Sequence, residues 1–188
     1  RRRPVPVGRA GRGRELSCCP TRAWGILENA RLEDWEAAQP TLTRMKNLWQ
    51  ELKANAYPPR VVETLDSALE ALDVAVTDED VAATSQAAVE VAQSALDLEL
   101  LYRGNVEADR FHLHAQQLRV HAATNDMAGV VGEVAVLKWI RDRLAASLNE
   151  PRLDNLNADL RALRDASNAG NVSAAADQAA RAAAQLRG

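Results

Sequence analysis

The order of residues predicts an all-α fold: a tandem pseudo-repeat of two roughly four-helix units with up-and-down bundle packing. Three observations predict it. Alanine supplies 36 positions, against one Phe and two Tyr, a composition that favours close-packed helices and offers little to a sheet. Apolar residues recur at spacings of three and four through most of the chain, the period of an amphipathic helix. The pattern also repeats, since Leu65, Leu69, Leu72 and Val81 fall on Leu156, Leu160, Leu163 and Val172 at an offset of 91, as expected of a duplicated unit.

The elements follow in order. After Pro20, Trp24, Leu27 and Ala30 mark a first helix. A second spans 33–54 with Trp35, Leu42, Met45, Leu48, Trp49 and Leu52. Pro40 either kinks it or delays its start to Thr41, because proline lacks an amide and clashes with the preceding turn. Tyr57-Pro58-Pro59 closes it. A third helix over 60–76 carries Val62, Leu65, Leu69, Leu72 and Val76. Thr77 or Asp78 is its successor's expected cap, and the acidic run to Asp80 suits the free amides of a fourth helix ending near Arg103. Gly104 is the expected bend between halves.

The second half restates this plan with helices over 106–123, 127–148, 152–166 and 172–186. Thr124-Asn125-Asp126 reads as a capping turn, and residues 167–171 read as a loop. The resulting domains are a disordered Arg/Gly/Pro-rich head over 1–20, one bundle over 21–103 and a second over 106–188. Two abutting bundles are favoured over one eight-helix stack. Trp49 and Trp139, 90 apart, are expected to anchor the two cores.

Charge limits the function. Net charge is -3, but residues 1–22 hold seven Arg against Glu15, so the remainder carries about -9. An acidic body is a poor partner for phosphates, and nucleic-acid binding is disfavoured. No apolar run reaches the ~18 residues of a membrane span. Cys18 and Cys19 are adjacent, a poor geometry for pairing with each other. Location is open between the cytoplasm and export with an absent leader, for no apolar leader core is visible.

One helix could carry chemistry. His112, His114 and His121 are the only histidines, and His114 and His121 share a face with Phe111 and Leu118. His112 points elsewhere, with Asp109 three residues before it, and Glu107, Asp126 and Glu133 are the nearest carboxylates a bend could bring to the group. Imidazole with carboxylate suits zinc, iron, nickel or copper, so His112, His114, His121, Asp109, Asp126 and Glu133 form the candidate set for a transition metal. Against it, seven residues separate two histidines by about 10.5 Å along a helix. The plainer expectation is hydrogen bonding across to the neighbouring helix.

A catalytic residue is not nominated. Ser94, Ser147 and Ser167 lack a glycine-tight nucleophile turn, and the glycines of 8–13 lack a phosphate-loop context. If an enzyme, Asp109, His114, Asp126 and Glu133 would be its acids and bases. Gly129 and Gly132, inside an apolar helix, imply tight packing or a ligand against the backbone. Trp24 and Trp35 are the candidate partner-binding residues. The leading functional expectation is a non-enzymatic helical module that binds or scaffolds a protein partner or small ligand, with a metal- or cofactor-binding bundle as the alternative.

Overall fold

The computed structural model describes residues 18–54, 57–100 and 106–186, and among these described residues helix-forming runs and capping residues give eight α-helices. The Arg-rich head before residue 18 and the expected bend at Gly104 lie outside the described residues. The helices are α1 (Cys18–Arg31), α2 (Trp35–Lys53), α3 (Pro59–Thr77), α4 (Val81–Glu99), α5 (Glu107–Ala123), α6 (Met127–Leu144), α7 (Glu150–Asn168) and α8 (Val172–Gln185). No described helix is long and apolar enough to cross a membrane.

Two compact units result, residues 1–106 and 107–188. In the first, α1 and α3 each pack against both α2 and α4. In the second, α5 and α7 pack likewise against α6 and α8. Each unit is thus a closed ring of four helices, in which short connections make successive helices antiparallel. The repeat extends to element boundaries: α3 and α7 begin and end 91 residues apart, and so do the starts of α4 and α8.

One turn design explains much of this regularity. The connections α1–α2, α3–α4, α5–α6 and α7–α8 place Glu33, Glu79, Asn125 and Gly170 at positive φ of 55–71°. The next residue's amide donates to the carbonyl five residues back in each: Asp34 to Asn29, Asp80 to Ala75, Asp126 to His121 and Asn171 to Ala166. This is a Schellman ending. The same Asp or Asn caps the following helix, its side chain accepting from the amide of Ala37, Ala83, Gly129 or Ala174 at 2.9–3.0 Å. One residue therefore ends one helix and starts the next.

Three local expectations are corrected. The second helix starts at Trp35 and runs through Pro40, where both Pro40 and Glu36 are exposed, so solvent can reach the carbonyl that the missing amide leaves unbonded. The cap of α4 is Asp80, not Thr77 or Asp78. The expected loop over 167–171 shrinks to Ala169-Gly170, because Asn171 already serves as the cap of α8.

The cores follow the repeat as well. Ile26, Leu27, Leu42, Met45, Trp49, Leu65 and Leu72 are fully buried in the first unit. Phe111, Leu118, Leu137, Ile140, Leu156 and Leu163 fill the second, closed by Ala175, Ala179, Ala182 and Ala183 of α8. Each buried large side chain contributes about 1.5–3 kcal/mol of transfer free energy, and the alanines let α8 lie close to its neighbours.

Candidate functional site

Helix α5 opens with Glu107 and Asp109 in its first turn, where the free amides favour negative charge. Phe111, Ala115 and Leu118 enter the core. His114 and His121 flank that stripe, half-buried, and both reach carboxylates of the α6 segment. His114 Nδ1 lies 2.8 Å from Glu133 Oε2. His121 Nδ1 lies 2.8 Å from Asp126 Oδ2, while Asp126 Oδ1 accepts from the Gly129 amide at 3.0 Å. Gln117 Nε2 stands 3.3 Å from the other ring nitrogen of His121, which fits a ring donating from Nδ1 and accepting at Nε2.

The expected cross-helix hydrogen bonds of His114 and His121 are therefore present. The six candidate metal ligands, however, are distributed rather than convergent: His114 pairs with Glu133, His121 with Asp126, and His112 and Asp109 stand outside both pairs. His112 has Gln116 Nε2 at 3.5 Å. Among the described residues no group of three or more His, Cys, Asp or Glu is placed to hold a metal. Each pair offers two donors where a zinc site uses three or four protein ligands.

The repeat shows what these pairs replace. The α1–α2 and α5–α6 turns match at an offset of 92, Glu33 and Asp34 against Asn125 and Asp126, so His114, His121 and Glu133 stand where the first unit has Arg22, Asn29 and Thr41. The Gly129 amide, and next to it the His121 ring, hold the Asp126 carboxyl below its ordinary value of 3.8. The ring lies so close to α6 that a Cβ on Gly129 would overlap His121 Nδ1. Gly129 thus meets the expectation of close approach. Gly132 does not, since a Cβ there would meet nothing within 4 Å.

The tryptophans redistribute. Trp49 is buried and its Nε1 donates to Asp66 Oδ1 at 2.7 Å. Trp139 is not its counterpart in the second core: α2 and α6 start 92 residues apart, so Trp139 matches exposed Asn47 and is itself 53% exposed. A two-residue shift turns a helical side chain by about 200°, enough to move it from core to surface. Trp24 and Trp35, the candidate partner-binding residues, are both half-buried.

The residues that the sequence reading missed lie on the far side of α6. Val131 is 53% exposed, and Ala128, Gly132 and Ala135 are exposed beside it. With Trp139 they form an apolar stripe at helical spacing, while Val130, Leu137, Ile140 and Leu144 face the core. The available signal was the apolar content of α6, broken only by Glu133 between Met127 and Leu137, for a helix so rich in apolar residues has more than one face to cover. The Arg143 guanidinium stacks 4.8 Å over the Trp139 ring and is itself held by Glu107 at 2.8 Å, so the ring is braced on the surface. Searches against protein-family models, curated proteins and solved structures find no match to the chain.

Proposed function

We propose that this protein is a non-enzymatic helical binding module and that the outer face of α6 is its docking surface for an amphipathic helix of a protein partner. The supporting observation is the Val131-Ala135-Trp139 stripe, a large aromatic side chain set among small residues on a regular helix. Trp is the residue most enriched among those that dominate binding energy. Small neighbours let a second backbone approach, and the Arg143 stack fixes the ring before binding, which lowers the ordering cost. The stripe spacing of four suits a partner helix that presents its own apolar residues at i, i+4 and i+7.

A photo-crosslinking residue at Ala135, in the full chain within its native cells, tests this reading. The expected result is a discrete protein adduct that is absent when the crosslinker sits at exposed Glu63. Trp139→Glu should weaken capture roughly 30-fold, the scale of a dominant contact of about 2 kcal/mol, with helical circular dichroism unchanged. Equal labelling at both positions, or an adduct indifferent to Trp139→Glu, would overturn the assignment of this face.

A further inference from the structure

The opposite flank of α6 carries a different chemistry, independent of the apolar stripe. Between α6 and α7 runs a groove of about 310 Å³ lined by Lys138, Arg141, Arg161 and Arg164, over Val134 and Leu160, and no carboxylate lines it. Each helix supplies two cations three residues apart, a spacing that puts them on one side. Arg141 Nη1 is paired with Asp142 at 2.8 Å, but its Nε is buried without a partner. Lys138, Arg161 and Arg164 make no ion pair among the described residues.

The fold does not require four cations here. In the first unit the matching positions, 92 residues earlier in α2 and 91 in α3, hold Lys46, Trp49, Glu70 and Asp73. There the α2–α3 seam is clasped by opposite charges, Lys46 to Asp73 at 2.7 Å and Lys53 to Asp66 at 3.3 Å. In the second unit those four clasp positions are Lys138, Arg164, Ala145 and Asn157, so both clasps are gone. What remains is positive charge alone, gathered in one opening of a body that is otherwise acidic. Like charges at this spacing repel one another, and an anion between them relieves the repulsion.

We propose that the α6–α7 groove of the second unit binds a small molecule bearing a diphosphate group. Guanidinium forks match phosphate oxygens, and lysine adds a compact charge. With Arg141 already paired to Asp142, a lone phosphate, about -1.5 to -2 at neutral pH, still leaves part of the groove's positive charge uncompensated, whereas two linked phosphates come nearer to balancing it. The groove volume stands at the lower end of small-molecule sites, about 300–1,000 Å³, and is too confined for a nucleic-acid backbone, which needs an extended basic track. Val134 and Leu160 give the remainder of the ligand an apolar floor.

Isothermal titration of the full chain with inorganic pyrophosphate, at constant ionic strength, tests the site. The expected result is saturable binding of one pyrophosphate per chain, with a raised melting temperature and weaker binding of monophosphate. R161Q/R164Q should lower the affinity roughly 10- to 100-fold, the scale of losing charge-assisted hydrogen bonds, while R44Q, on the first unit, leaves it unchanged. Both substitutions lie on helix surfaces, and circular dichroism verifies folding. No saturable binding, equal competition by sulfate, or binding unaffected by R161Q/R164Q would overturn the proposal; none of these outcomes bears on the α6 stripe.

Discussion

Asp126 caps α6 through one oxygen and holds His121 through the other, and this double use makes it sensitive to acid. Its carboxyl is held below the ordinary value of 3.8, first by the Gly129 amide and then by His121. A group depressed in the folded state stabilises above its unfolded value, and the contribution disappears as pH falls through the folded value. Thermal melts between pH 6 and 2 should therefore show a loss below about pH 4, and Asp126→Asn should flatten that limb. Asn keeps the cap, so an unchanged acid limb in the variant would assign the loss to other carboxylates. The cap was legible in Thr124-Asn125-Asp126. The partnership with His121 was not, because it depends on the turn bringing a side chain back over five residues.

Helix α6 concentrates the distinctive features of the second unit: a core face, a flank tied to the α5 histidines, an apolar outer stripe and a cationic groove side. Its two glycines separate packing from exposure. Ala favours a helix over Gly by about 1 kcal/mol, so Gly132→Ala, with open space around it, should raise stability by up to about that amount. Gly129→Ala should lower it, because the new methyl would overlap the His121 ring and the Asp126 carboxylate. Urea denaturation of both variants checks the opposite signs; two stabilising changes would show that the His121 ring moves aside freely. Nothing in the spacing of Gly129 and Gly132 distinguishes them. The difference arises from which flank of α6 meets α5.

Across the molecule, two rings of four helices each bury their own apolar face. Leu65 and Leu156 hold the same place in each and are fully buried. Leu65→Ala and Leu156→Ala should each cost about 2–5 kcal/mol. Amide hydrogen exchange should show the protection lost within the substituted unit, α1–α4 for Leu65 and α5–α8 for Leu156. Uniform loss over all eight helices from either substitution would mean that the two units unfold as one. The pairing of these leucines was readable beforehand. The unequal fates of Trp49 and Trp139 were not: their spacing is 90, whereas α2 and α6 start 92 residues apart, which sets them two residues out of register.

Residue order alone therefore establishes the helices and their pseudo-repeat, because helical period and proline stops act within a few residues. The packing decides which flank of each helix is used. It separates the histidines into two carboxylate pairs, turns Trp139 outward and gathers four cations beside α7. Those outcomes rest on the rotation of α6 about its own axis against α5 and α7, about 100° per residue. Three neighbouring helices set that rotation together, and no local stretch of sequence encodes it.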